Sequence, residues 1–312
     1  MNLLISTLRI VRFPNIIIIG LTTYFIRIFI FSNAYSINGV DFFLNNSQFI
    51  LLTIAIILAT TGGYLINDIY DRSIDQFNAR EKVYIGNRLS LNFVVFLYIL
   101  INIIGLIVSF IVAIQIAYLQ WLFLYPLAAF ILWFYSYFLK NTVLWGNIVV
   151  AIFCSFVVLL IWFSEKESMQ NLFRVNNYIY NKLVVIIVFY SLFAFLSTIF
   201  REIIKDIQDI EGDRLNNCKT LAVKYGIPKA KFVSIIFAIL LLFIIGVFFI
   251  VFKNNSTIWG IFYGLFFLIT PIIYTIFLTV KAEEKSDFKR INRMGKIIMF
   301  LGLLYLPVLS FL

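Results

Sequence analysis

Residues 48–75 read QFILLTIAIILATTGGYLINDIYDRSID: twenty residues without a charge, then three aspartates within the next eight. The first part is long enough to cross about 30 Å of hydrocarbon, which takes roughly 20 residues as a helix. The second part puts Asp68, Asp71 and Asp75 at the end of that span. Their i, i+3, i+7 spacing keeps all three within roughly 60° of one another on a helix. A lipid-embedded helix ending in an acidic stripe is the pattern that the rest of the chain repeats.

Working outward, eight more apolar runs of similar length appear, so the expected spans are 14–33, 48–66, 92–116, 119–138, 142–163, 182–201, 231–252, 258–280 and 294–312. In lipid each must be helical, because a lone strand leaves its backbone unsatisfied. The composition agrees: 62% hydrophobic and only 13% charged, against about a quarter charged in a soluble domain. The expected fold is an all-α, nine-helix membrane bundle. No low-complexity linker divides it, so 1–312 reads as a single domain. The first run lacks a small-x-small cleavage site and reads as a retained helix, not a signal peptide.

Orientation follows from the basic residues. With the N-terminus in the cytoplasm, the opposite side carries Arg27, Lys166, Arg174, Lys182 and Lys253, and the other twenty of the 25 Lys and Arg lie inside. The net charge of +10 therefore reads as topology and not as a nucleic-acid surface, since the charges sit in short loops between spans. The longest outer loop, 164–181, is polar and suits either an interfacial cap or a connector. There is no histidine, and the two cysteines stand apart. Imidazole-based metal sites, histidine triads and a disulfide framework are excluded.

A second acidic string, REIIKDIQDIEGD at 201–213, follows the sixth span and places Asp206, Asp209 and Asp213 at the same i, i+3, i+7 spacing. Two identical triads, each after an even-numbered span, suggest a pseudo-repeat whose copies face each other. Like charges on one stripe repel unless a cation lies between them. Oxygen-only ligands suit magnesium, which shares its coordination with substrate phosphates. Lys82, Arg88, Lys140, Arg201 and Lys205 lie beside the motifs, where cations would neutralise a departing diphosphate. The blander alternative, solvated charge at membrane ends, accounts for one aspartate better than for two matching triads. A transporter is the other class to weigh, but transporters carry their acids near the bilayer midplane. Here the spans hold few ionisable groups, Arg27 being the exception.

Asn67 to Asp75 resembles the NDxxDxxxD signature of the UbiA superfamily of intramembrane prenyltransferases, and Asp206 to Asp213 resembles its second motif. The resemblance covers essentially the whole chain. It implies magnesium-dependent transfer of a polyprenyl group from its diphosphate to a lipophilic acceptor at a multi-pass (plasma) membrane, with the site open toward the cytoplasm. By position it makes Asn67, Asp71, Asp206 and Asp209 the magnesium and diphosphate ligands, with Asp68, Asp75 and Asp213 as supporting acids. Asn78 and Lys82 match the Asn and basic residue after the first motif, although Lys82-Val83 stands where the family has Arg-Pro. Tyr135 to Lys140, then Gly146-Asn147, resembles the segment before the fifth span and adds Tyr135 and Lys140 to the expected site. Tyr64, Tyr70, Tyr135 and Tyr137 are the aromatic candidates for facing an allylic cation.

The string 201–213, continuing to Lys219-Thr220-Leu221, is most similar to family members that move geranylgeranyl onto geranylgeranylglyceryl phosphate in ether-lipid synthesis. Related strings occur in members that prenylate homogentisate, quinone-precursor or chlorophyllide acceptors, so the acceptor stays open at this stage.

Overall fold

A computed structural model describes residues 3–72, 85–86, 88–252 and 257–309. Among these, nine helices are long and apolar enough to cross a membrane: α1 (Phe13–Asn38), α2 (Asn46–Tyr70), α3 (Leu91–Gln115), α4 (Leu119–Asn141), α5 (Trp145–Ser164), α6 (Asn177–Gln208), α7 (Ile227–Val251), α8 (Ile258–Lys281) and α9 (Lys285–Leu309). The described residues contain no strand, only an isolated bridge between Ile85 and Leu89. The nine-span, all-α expectation holds. The stretch between α5 and α6 carries a helix of its own, Lys166–Val175, which buries Met169 and Leu172.

Local chemistry sets where several helices start. Asn45 and Gln48 form a reciprocal capping box at the start of α2: the Asn45 side chain accepts from the Gln48 N–H at 2.9 Å, and Gln48 accepts from the Asn45 N–H at 3.0 Å. Ser90 and Asn176 cap α3 and α6 in the simpler way, each accepting one backbone N–H at 3.2 Å. Each such cap satisfies a donor that the first helical turn leaves orphaned.

The described residues fall into two compact units. The first draws on Met1–Leu21, Leu44–Thr142 and Glu211–Cys218. In it α2 packs on α3 and α4, and Ile10, Leu65, Ile85, Leu89 and Val94 form a buried apolar cluster at the α2–α3 contact. Gly105 lets α3 approach α4: a Cβ there would lie 2.0 Å from the Tyr125 hydroxyl oxygen. The second unit is Thr22–Phe43, Val143–Ile210 and Lys219–Leu312. Its central helix is α6, with 67% of its most apolar window buried, packed against α5, α7 and α9. Gly302 on α9 makes room for Phe193 of α6, whose ring would lie 2.3 Å from an added Cβ.

Arg27 sits in a π-helical stretch of α1, Ile26–Ser32, and its charge is matched inside the second unit. Its guanidinium donates to Glu165 Oε1 at 3.3 Å and lies 4.1 Å above the Phe42 ring, while Glu165 Oε2 accepts the Phe43 N–H at 2.9 Å. With side chains 8% and 1% exposed, neither charge has water to turn to, so each depends on the other.

Candidate active site

In the first unit the signature motif lies at the C-terminal end of α2. The helix stops at Tyr70, and Asp71 is its C-cap, with φ −81° and ψ 0°. Asp68 and Asp71 therefore share a helix end. Asp75, Asn78 and Lys82 lie outside the described residues. Asn67 donates to Asp71 Oδ2 at 2.6 Å, and Lys140 Nζ, at the end of α4, donates to Asp71 Oδ1 at 2.5 Å. Lys140 is only 10% exposed, so the ammonium is largely withdrawn from water and committed to this carboxylate. Its Nζ also lies 5.8 Å from the centre of the Tyr70 ring, and Tyr70 meets Tyr137 edge to face at 5.8 Å. Trp133 stacks on Tyr137 at 5.6 Å, extending the aromatic surface along α4. Tyr135 is half-buried on the same helix.

Asp68 is held from the other side. Arg12, just before α1, donates to Asp68 Oδ1 at 2.9 Å, and its guanidinium lies 4.6 Å above the Tyr64 ring. Asn15 then donates to the Tyr64 hydroxyl at 3.2 Å. Read from sequence, Arg12 is a topology signal; nothing in its spacing points to a residue 56 positions away.

The first unit also contains Asp213, on the short helix Ile210–Leu215 and 9% exposed. The segment after it is tied to the end of α4 by Cys218, whose thiol donates to Asn141 Oδ1 at 3.2 Å.

In the second unit the second motif ends α6 in the same way: Gln208 is the last helical residue and Asp209, at φ −100° and ψ 8°, is its C-cap. Asp206 and Asp209 share this helix end, and the expected stripe to Asp213 breaks at its middle acid, with Asp213 on the next short helix. Asn147, in the first turn of α5 and 7% exposed, donates to Asp206 Oδ2 at 2.8 Å. Gln208 Nε2 lies 3.5 Å from Asp209 Oδ1, and Gln208 Oε1 accepts from Asn292 of α9 at 3.1 Å. Arg201 is paired with the adjacent Glu202 and packs its stem over Gly295, 3.4 Å from the position a Cβ would take. Lys205 lies one turn along the same stripe of α6, half-buried. Glu202, Gln208 and Asn292 were not singled out in the sequence, because their roles depend on which helices become neighbours.

Among the described residues no three acidic side chains converge into a closed metal cage. The donor set still fits magnesium, which takes one or two carboxylates and completes its octahedron with water and phosphate. Asp71 offers lone pairs beyond its two hydrogen bonds. The Lys140 ammonium on it is a cation at the place where positive charge is favoured.

A family model described as the UbiA prenyltransferase family matches residues 26–304. Among relatives, the digeranylgeranylglyceryl phosphate synthase of Saccharolobus solfataricus is 30% identical over 301 residues, covering 95% of both chains. The synthase of the same name from Methanosphaera stadtmanae is 28% identical over 82% of this chain and 86% of its own. A solved digeranylgeranylglyceryl phosphate synthase superposes with a TM-score of 0.67 at 22% identity, covering 100% of this chain and 99% of the other. A UbiA homologue from Archaeoglobus fulgidus bound to GPP and Mg2+ gives a TM-score of 0.55 at 13% identity, covering 96% of this chain and 99% of the other.

Proposed function

Since the chain belongs to the UbiA prenyltransferase family, with residues 26–304 matched, we propose that it moves a geranylgeranyl group from its diphosphate to geranylgeranylglyceryl phosphate, forming an ether lipid precursor. Prenyl transfer at a multi-pass membrane protein is common ground for the family; the two substrates are the proposal. The acceptor rests on one observation, the 30% identity to a digeranylgeranylglyceryl phosphate synthase across 95% of both chains. The matched stretch runs without interruption through both compact units, which supports reading 1–312 as one membrane domain.

Asn67, Asp71, Asp206 and Asp209 are the proposed holders of magnesium, with Asp68, Asp75 and Asp213 as supporting acids. Magnesium, when bound, supplies Lewis-acid stabilisation of the leaving diphosphate. The chain's own contribution is orientation and charge. Asn67 fixes the Asp71 carboxylate and Asn147 fixes that of Asp206, so the ligand oxygens do not have to reorganise. Lys140 transfers from Asp71 to the diphosphate as it arrives, with Lys82, Asn78, Arg201 and Lys205 adding further donors. This draws charge out of the allylic C–O bond as it breaks. The Tyr70 and Tyr137 faces beside Lys140 suit a passing allylic cation, and Tyr135 is assigned to the same wall. The carboxylate ends of α2 and α6 and the N-terminus lie on the cytoplasmic side of the plasma membrane, as the distribution of Lys and Arg favours.

The test is direct. Purified protein in lipid receives geranylgeranyl diphosphate, magnesium and one acceptor at a time: geranylgeranylglyceryl phosphate, homogentisate, a naphthoate, a chlorophyllide. Ether formation with the glyceryl phosphate alone supports the proposal. Transfer to an aromatic acceptor in its place overturns the acceptor, and no diphosphate release with any of them favours a transporter.

A further inference from the structure

Three amides and carboxylates in the second unit fix one another's orientation, and one acceptor atom is left over. Asp209 is a carboxylate and only accepts, so the neighbouring Gln208 amide turns its Nε2 toward it, at 3.5 Å. That choice points Gln208 Oε1 at α9, where it takes a hydrogen bond from Asn292 Nδ2 at 3.1 Å. Asn292 thus faces Gln208 with its amino group, and its Oδ1 is buried without a partner among the described residues. Reversing the Asn292 amide would set its carbonyl against Gln208 Oε1, so the stranded atom follows from the charge on Asp209.

A buried carbonyl oxygen with no donor costs on the order of 1–3 kcal/mol, and such an atom beside a candidate ligand of the leaving group marks a place for a substrate donor. Its surroundings narrow what that substrate is. On α9, Lys289 and Lys296 stand three residues before and four after Asn292, on its face of the helix. On α6, Lys205 lies between Arg201, which packs on Gly295, and Gln208, which meets Asn292. Lysines thus stand at helical register on either side of Asn292 along α9, and one turn before Gln208 along α6.

We propose that Asn292 Oδ1 accepts a hydrogen bond from the hydroxyl of a phosphate-bearing alcohol, holding the acceptor's nucleophilic oxygen beside Asp209 while Lys289 and Lys296 attract its phosphate. This rests on the glyceryl phosphate reading given above. With its O–H engaged, the hydroxyl oxygen keeps its lone pairs for attack. The allylic C–O bond breaks with its electron pair going to the diphosphate, and a lone pair of the hydroxyl forms the ether bond. The hydroxyl proton passes to the released diphosphate. Asn292 is a substrate-positioning residue in this step and takes no proton itself.

The experiment compares the glyceryl phosphate acceptor with its deoxy analogue, in which hydrogen replaces the hydroxyl, used as a competitive inhibitor of the full chain in lipid. A site built to pair a hydroxyl rejects an analogue that lacks it. The wild type is expected to bind the hydroxyl acceptor at least about tenfold tighter than the deoxy analogue. Asn292→Leu and Asn292→Ser are expected to bring that ratio to about one and to three, with the KM for geranylgeranyl diphosphate unchanged. A wild type that does not distinguish the two ligands overturns the proposal without any variant. Undiminished discrimination in Asn292→Leu also overturns it, and so does a parallel rise in donor KM, since Asn292 would then serve Asp209 alone. If the wild type transfers only to aromatic acceptors, the glyceryl phosphate reading falls first and this inference with it.

Discussion

Lys140 and Asp71, 69 residues apart, meet at 2.5 Å between the ends of α4 and α2, and Asn67 occupies the other oxygen of the same carboxylate. The pair stores a cation on a proposed metal ligand. An ammonium on a four-carbon stem can leave Asp71 for an incoming diphosphate without moving the backbone, whereas an arginine fork locks onto a carboxylate in two places. Lys140→Met is expected to lower turnover by about 10²-fold, the usual cost of removing one preorganised charge from a developing anion. Lys140→Arg should recover only part of it. Steady-state rates at saturating donor decide this: full activity in Lys140→Met would leave the lysine with a purely structural part.

Asn147 offers a second test, separate from charge. Its amide holds Asp206 Oδ2 at 2.8 Å from a position only 7% exposed, so few other donors can replace it. Partners that orient metal ligands typically contribute 10–100-fold in affinity or activity. Asn147→Ala should raise the magnesium concentration for half-maximal rate by about tenfold while leaving the maximal rate nearly intact. Asn147→Asp, which sets a second carboxylate against Asp206, should raise it further. A titration showing identical magnesium dependence in all three proteins would detach Asn147 from the metal.

These two relationships also mark the limit of what the chain reveals unaided. All nine spans were legible, because uninterrupted apolar length is a property of each segment alone. Their ends were not: α6 was expected over 182–201 and runs from Asn177 to Gln208, and α9 was expected from 294 and starts at Lys285. Hydropathy sees the part of a helix that meets lipid, and these helices continue into the polar turns that carry Lys205, Asp206 and Asn292. Asp71, Asp206 and Asp209 stood out by their repeated spacing. Arg12, the partner of Asp68, did not, and Asn147, the partner of Asp206, entered only through the family resemblance, because a partner 56 or 59 positions away is chosen by helix packing and leaves no periodic trace.

Gly105 and Tyr125 show how closely two spans are fitted where neither carries charge. A Cβ on residue 105 would meet the Tyr125 hydroxyl oxygen at 2.0 Å and its ring carbons at 2.1 and 2.4 Å, and Tyr125 is 4% exposed with little space to turn. Gly105→Ala is expected to destabilise by about 1–3 kcal/mol, the range for overpacking a well-filled site. Adding Tyr125→Leu should return most of that loss. Thermal unfolding in detergent reads both changes, and a Gly105→Ala protein as stable as the parent would mean that α3 and α4 can separate at little cost.

The ion pair of Arg27 and Glu165 calls for a cycle rather than a single change. With 8% and 1% side-chain exposure, removing one partner strands the other, at a cost of about 3–5 kcal/mol for buried pairs. Arg27→Met and Glu165→Leu should each lower the unfolding temperature markedly. The double variant should lie above either, because two apolar side chains of similar bulk leave no uncompensated charge. Glu165 also accepts the Phe43 N–H at 2.9 Å, so Glu165→Gln, which keeps an acceptor, should be milder than Glu165→Leu. If the double variant is less stable than both singles, with the two losses simply adding, Arg27 and Glu165 are not coupled, and the charge inside α1 is stabilised by its place over the Phe42 ring instead.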